Sequence, residues 1–226
     1  LVAPVPSTLQ RFFFAAFLLV FLSSVLPAAV SPAECFPLEK LSAEDRALAE
    51  EWLLEVMDKE GLYTIVGQHK PATLALVPAR VGVENPTADE LAQMQQAGRI
   101  LRQWRCGDDL GATLVSGTVV IKGQRVLHGV VYRRKLVAEA IRQWPAVYGA
   151  AGIDASIPAE QALATTELLQ PPLRHRAWGH LLGYPAYAVE FFAMADETQR
   201  STGQYVARDF YSVPTYAKAT NHYVRA

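Results

Sequence analysis

The sequence predicts an α+β fold, in which several helices pack against a mainly antiparallel sheet. Segments with helical periodicity alternate along the chain with pairs of strand-like segments joined by short turns. Parallel strands would need a crossover, usually a helix, between most consecutive pairs, so the direct connections favour antiparallel pairing. The chain shows no internal repeat and no linker. We therefore expect residues 34–226 to form one globular domain.

The first half of this domain is predicted to hold two helices and two strands. Ser42 and an acidic first turn begin a helix whose apolar positions continue to residue 57. Residues 62–66 and 73–77 are predicted as strands, with a turn at residues 67–71 between them. Thr87 and Glu90 have the spacing of a capping box, which begins a second helix that ends near Cys106.

The second half is predicted to begin with a hairpin and to continue in helices. Residues 113–121 and 126–132 form the hairpin, and residues 136–144 form a helix that Pro145 ends. Helices follow at residues 158–169, 173–182 and 186–198, with Gly183 and Pro185 at the corner between the last two. Because residues 186–198 are apolar nearly all round, we expect that helix to be largely buried. The Tyr-rich residues 204–213 and 215–224 are predicted to pair as strands.

The N-terminus has the three parts of a secretory signal peptide. Arg11 precedes an apolar run at residues 12–22, and a looser stretch of Ser, Pro and Ala follows. Ser31 and Ala33 are small residues where signal peptidase needs them, so residues 1–33 are predicted to be a signal peptide with an N-terminal extension. Cleavage after Ser31 is one alternative. In another, residues 12–30 stay uncut and anchor the protein in the membrane.

Cys35 and Cys106 are the two cysteines of the chain. In a periplasmic or extracellular protein they predict one disulfide bond, and two free thiols are the alternative. Pro32 and Glu34 do not fit the sequence at which bacterial lipoproteins are acylated on cysteine, so we do not expect a lipid on Cys35.

The net charge and the absence of several known motifs exclude some functions, but they do not identify one. The formal net charge is −1 with no long basic or acidic tract, so we expect no nucleic-acid partner. The signatures HExxH, GxSxG, SxxK, GxGxxG and the Walker loop do not occur in the sequence. Common zinc proteases, α/β-hydrolases, penicillin-binding enzymes and nucleotide binders are therefore disfavoured. The sequence identifies no cofactor and no metal site.

The first candidate site lies in the predicted helices of residues 173–198. Arg174 and Arg176 suit a carboxylate or phosphate ligand, and His180 and Glu190 suit proton transfer or metal binding. The alternative is that these residues have only local roles, with the arginines solvated and Glu190 on the outward face of its helix. His175 is five residues from His180, which does not place the pair on one helix face, so a metal site there is not predicted.

A second candidate site is the turn at residues 67–71, where His69 and Lys70 can meet an anion; an ordinary polar turn is the alternative. Tyr184 is a further candidate ligand contact. Residues 62–67 and 179–185 have the composition of signature segments, although no activity attaches to them. The tyrosines of the C-terminal segments are a third candidate, as an aromatic binding surface or as core.

The sequence favours an exported protein of bacterial envelope type that acts as a ligand-binding or accessory module. Its expected partner is a small molecule or another envelope component, and it contacts the membrane only if the signal segment stays uncut. The alternative is a hydrolase or metal-dependent enzyme that uses His180, Glu190 and His69. That alternative requires the three side chains to converge in one cleft.

Overall fold

The computed structural model describes residues 35–207, together with the backbone of residues 212–214 and 223–225. The predicted signal peptide and its alternative as an anchor lie outside the described residues. Within them, the fold is α+β, with helices on both faces of an antiparallel sheet. The helices are α1 (Ala43–Met57), α2 (Gly61–Ile65), α3 (Ala88–Arg102), α4 (Arg134–Gln143), α5 (Pro145–Gly149), α6 (Ala159–Glu167), α7 (Pro171–Leu181) and α8 (Ala186–Thr202).

The main sheet has three strands in the order β1 (Ala72–Gly82), β3 (Gln124–Arg133), β2 (Leu110–Ile121), and both pairs are antiparallel. The predicted β2–β3 hairpin is confirmed. Its turn is the pair Lys122 and Gly123, and both have positive φ, as the tightest hairpin turns require. Pro78 lies where the β1 register is irregular, on an edge strand, where a missing N–H is tolerated.

The two faces of the sheet cover two separate cores. Val130 and Val131 are neighbours in β3 and therefore point to opposite faces. Val130 packs with Val137, Leu163 and Leu181 from the helices α4 to α7. Val131 belongs to the other core, which contains residues of α1, α2 and α3. The predicted helices at residues 136–144, 158–169 and 173–182 are thus confirmed, and Pro145 begins α5 after it ends α4.

Residues 62–66 are not the predicted strand, because they lie in and just after α2. The reason is a tertiary contact that local sequence does not contain. Arg133 donates from Nε to the carbonyl oxygen of Thr64 at 2.9 Å, and its Nη2 donates to that of Ile65. The guanidinium thereby satisfies carbonyl groups at the end of the helix, which outweighs the strand preference of the β-branched residues.

The helix at residues 186–198 is also less buried than predicted. It is confirmed as a helix, α8, but its buried residues are Val189, Ala193 and Ala195, while Tyr187 and Met194 are exposed. Val189 and two small alanines provide the packing face, whereas Tyr187 and Met194 lie outside it. At the C-terminus, β4 (Ser212–Pro214) and β5 (Tyr223–Arg225) pair antiparallel. Residues 204–207, predicted as the start of a strand, have no regular secondary structure, and the rest of the predicted C-terminal strands from residue 208 onward lies outside the described residues.

The predicted cysteine pair is present at disulfide distance. Cys35 and Cys106 have Cα atoms 4.0 Å apart and are separated by 71 residues in sequence. The bond joins the start of the described chain to the segment between α3 and β2. None of the helices that the structure describes is long and apolar enough to span a bilayer.

Candidate functional site

Two loops from distant parts of the sequence meet at Lys70. The α2–β1 loop turns sharply at Gln68, whose φ is +52°, and the backbone N–H of His69 donates to the carbonyl oxygen of Tyr63 at 3.0 Å. The second loop is the corner between α7 and α8, where Gly183 has a φ of +76°. This corner and its Pro185 agree with the sequence prediction. We call the meeting point, formed by Glu60, Tyr63, Lys70, Gly183 and Tyr184, the Lys70 junction.

The ammonium group of Lys70 lies near two tyrosine rings and one carboxylate. Its Nζ is 5.7 Å from the centroid of the Tyr63 ring and 5.8 Å from that of Tyr184. It also donates to Oε2 of Glu60 at 2.7 Å. A side chain at Gly183 would place its Cβ 3.3 Å from Cγ of Lys70, on a backbone whose positive φ already favours glycine. The corner is therefore shaped to let Lys70 lie against it.

The junction is open enough for a ligand to reach its charges. The Lys70 side chain is 20% exposed and that of Glu60 is 44% exposed, and His69 beside them is exposed. A cation within reach of two aromatic rings is attracted to both, and it can exchange a partly solvated carboxylate for another anion. Of the predicted binding residues, Lys70 and Tyr184 are thus brought together.

His180 is buried in the helix that leads to this corner. Its side chain is 6% exposed, and its ring stacks on Trp144 with centroids 3.9 Å apart. Burial lowers the pKa of His180, and the negative charge of Glu190 opposes that shift. The Nε2 atom is buried and has no hydrogen-bond partner among the residues that the structure describes. His180 is therefore a neutral, stacked imidazole at neutral pH.

Arg176 and Glu190 form an ion pair between α7 and α8. Nε of Arg176 lies 2.9 Å and 3.1 Å from the two carboxylate oxygens, and the Glu190 side chain is 56% exposed. Across the described part of the chain, no hydrogen bond or ion pair joins His69, His180 and Glu190 to one another. The structure thus places Glu190 at the surface with an arginine, and His180 inside against a tryptophan.

Arg174 belongs to a different group of polar side chains, which sequence reasoning missed. Nη1 of Arg174 donates to Oγ1 of Thr118. The same threonine donates to Oε1 of Glu167 from its backbone N at 3.1 Å and from Oγ1 at 3.2 Å, and Nε1 of Trp178 donates to Oε2 at 2.7 Å. We call this group the Glu167 cluster. Burial lowers the pKa of His128 beside it, and the charge of Glu167 opposes that shift.

A third polar group, also missed, lies at the opposite end of α6. The hydroxyl of Tyr132 and Nη2 of Arg134 both donate to Oε1 of Glu160, the second over 3.0 Å. Burial raises the pKa of Tyr132, and the carboxylate beside it raises it further. Burial disfavours the charged form of Glu160, but the bonds from Tyr132 and Arg134 together hold its pKa below the usual value. This arrangement joins β3, α4 and α6.

The aromatic C-terminal surface is only partly described. Tyr205 is exposed, and the side chains of the later tyrosines lie outside the described residues. In the part of the chain with a described structure, no three His, Cys, Asp or Glu side chains are close enough to hold a metal ion. Comparisons with protein-family models, with curated proteins and with solved structures give no match to this chain.

Proposed function

We propose that this protein is an exported ligand-binding module that holds an anionic small molecule at the Lys70 junction without chemical turnover. The observation that carries the proposal is the position of the Lys70 ammonium near the rings of both Tyr63 and Tyr184. The segments that form this junction, residues 60–71 and 183–184, are far apart in sequence. The sequence singles out residues 62–71 and 179–185, which include Tyr63, Lys70 and Tyr184 but not Glu60.

Export is supported by two independent features. The apolar run that follows Arg11 has the pattern of a signal peptide. Cys35 and Cys106 lie at disulfide distance, and disulfides persist in oxidising compartments outside the cytosol. The periplasm or the extracellular space is the location that fits both.

The ligand class follows from the chemistry of the junction. The Lys70 ammonium group has Glu60 as its one hydrogen-bond partner among the described residues, and an ammonium group can donate three hydrogen bonds. A carboxylate or phosphate can therefore bind beside Glu60 or replace it. The Tyr63 and Tyr184 rings next to the cation give the junction an aromatic character that favours a ligand with a flat ring. We therefore infer a ligand that combines an anionic group with a flat ring.

Titration calorimetry with benzoate tests this proposal, because benzoate combines both features. Benzyl alcohol keeps the ring without the charge, and inorganic phosphate keeps a charge without the ring. We expect benzoate to bind and benzyl alcohol not to bind. Lys70→Met should abolish binding, and Glu60→Gln should strengthen it several-fold because a competing carboxylate is removed.

The Lys59–Glu55 ion pair provides the matched control. It is a Lys–Glu pair on an exposed helix surface. Lys59→Met should leave benzoate binding unchanged. If benzoate binds neither the wild type nor Glu60→Gln, or if Lys59→Met weakens binding as much as Lys70→Met, the proposal is wrong.

A hydrolase that uses His180 is the second candidate, and one observation favours it. A buried neutral imidazole with an unpartnered Nε2 can accept a proton from a bound nucleophile. Hydrolysis of p-nitrophenyl acetate tests it. Activity that is lost in His180→Gln and in Glu190→Gln, and kept in Lys59→Met, would support an enzyme. A rate equal to that of buffer would contradict this hydrolase.

A further inference from the structure

The turn of the β2–β3 hairpin and the chain just after β1 expose a group of aliphatic side chains. Val119, Val120 and Ile121 are 58%, 45% and 49% exposed, and Val83 is 47% exposed. The backbone N–H of Val83 donates to the carbonyl oxygen of Gly123 at 3.0 Å, which joins the two segments. We call Val83 together with residues 119–123 the hairpin tip.

The hairpin tip exposes apolar groups on both of its faces. Val120 pairs with Arg125, and Ile121 pairs with Gln124. Neighbouring residues in a strand point to opposite faces, so these two side chains lie on opposite sides of the hairpin. A flat protein surface would cover only one of these faces. A fluid apolar medium can surround both faces at once.

Side-chain hydrogen bonds from two helices hold the base of the hairpin tip. Thr118, directly before Val119, is bound through its backbone N and its hydroxyl to Glu167. Arg174 donates to the same hydroxyl. The tip therefore projects from a strand segment that is hydrogen-bonded to α6 and α7.

Two exposed cations lie beside the hairpin tip. Arg80 and Lys122 are exposed, and neither forms an ion pair with any residue that the structure describes. Two carboxylates also lie near the tip: Glu84 follows Val83, and Glu90 accepts hydrogen bonds from the backbone N–H groups of Gly82 and Thr87. Exposed cations next to aliphatic side chains suit a surface that is negatively charged outside and apolar within.

We propose that the hairpin tip inserts into the interface of an anionic lipid bilayer. Val119, Val120, Ile121 and Val83 enter the boundary between headgroups and acyl chains. Arg80 and Lys122 contact the anionic headgroups. This inference does not depend on a ligand at the Lys70 junction, and it gives an exported protein a place on the membrane surface after its signal segment has been removed.

Vesicle co-sedimentation of the chain from Glu34 onward tests the inference. Both cores consist of residues after Cys35, so this chain keeps every described core contact. The probes are vesicles of phosphatidylglycerol with phosphatidylcholine, and vesicles of phosphatidylcholine alone. We expect binding to the anionic vesicles, weakened by high salt. Val120→Asp should lower the partition coefficient at least about tenfold, and Lys122→Gln should lower it about fivefold.

Leu54→Asp is the matched control, because Leu54 is an exposed aliphatic residue on α1. It should bind vesicles like the wild type. The inference is overturned if the wild type stays in the supernatant with anionic vesicles, or if Val120→Asp and the wild type bind equally. It is also overturned if the wild type forms oligomers without vesicles and Val120→Asp does not, since the tip would then join two copies of the chain.

Discussion

The Lys70 junction and the Glu167 cluster each combine a glutamate, a basic side chain and an aromatic side chain. They differ in how many hydrogen bonds their central charged group forms. In the Glu167 cluster, one carboxylate accepts three bonds from Thr118 and Trp178. In the Lys70 junction, one ammonium group has a single carboxylate partner within the described structure. A saturated polar group connects elements of the fold, whereas an unsaturated and accessible one can accept a ligand. The predictions below test this distinction.

The largest loss of stability should come from removing the disulfide bond, which lies outside both regions. The double substitution Cys35→Ser with Cys106→Ser removes a bond that closes a loop over a sequence separation of 71 residues. The chain-entropy model predicts a loss of about 4 kcal/mol in the free energy of unfolding. Urea unfolding measures it. Benzoate affinity should not change, and a parallel loss of affinity would show that the junction depends on overall stability.

Glu167→Ala should give the next largest effect. It leaves the indole N–H of the buried Trp178 and two donors of Thr118 without their acceptor, for an expected cost of about 3 kcal/mol. Glu55→Ala, in the exposed pair with Lys59, should change stability by less than about 0.5 kcal/mol. Urea unfolding compares the two variants. If they prove equally stable, the Glu167 cluster is not a structural connection.

A pH-dependent loss of stability should come from His180, which lies on α7 between Trp178 and Tyr184. Its pKa in the folded state is below the ordinary value of 6.5, so the unfolded chain binds more protons as the solution is acidified. The contribution of His180 to the free energy of unfolding is therefore fully present above pH 6.5, and it is lost as the pH falls below that value. His180→Phe should reduce the slope of unfolding free energy against pH. The exposed His69→Gln is the control, and equal slopes in both variants would contradict this account.

Lys70→Met should have the smallest effect on stability. Its ion pair with Glu60 is partly solvated, so we expect a change of less than about 1 kcal/mol. The same substitution should nevertheless abolish benzoate binding. Loss of binding without loss of stability is what separates a ligand site from a connection within the fold. A large destabilisation by Lys70→Met would place Lys70 with Glu167 among the structural groups.

The sequence predicts features that depend on neighbouring residues. The capping box of Thr87 and Glu90 is formed by bonds across three residues, and the Gly183 corner likewise needs only local backbone. Residues 62–66 were predicted wrongly because Arg133, which binds the carbonyl groups of Thr64 and Ile65, is nearly seventy residues away.

In the candidate site, too, contacts between distant residues could not be predicted from local sequence. Lys70 and Tyr184 can each be selected from local composition, but their contact depends on the tertiary fold. The Glu167 cluster leaves no local signal, because Thr118 and Glu167 are 49 residues apart and belong to a strand and a helix. Arg174 is predicted as a ligand residue from its type alone, and only its bond to Thr118 assigns it to this cluster.

The central claim is that the Lys70 junction is a binding site and that the other polar groups are structural. Backbone amide chemical shifts, recorded while benzoate is added to the chain from Glu34 onward, test it most directly. We expect the shift changes to cluster at residues 67–71 and 183–187 and to disappear in Lys70→Met. Changes centred on Thr118 and Arg174, or no changes at all, would contradict the claim.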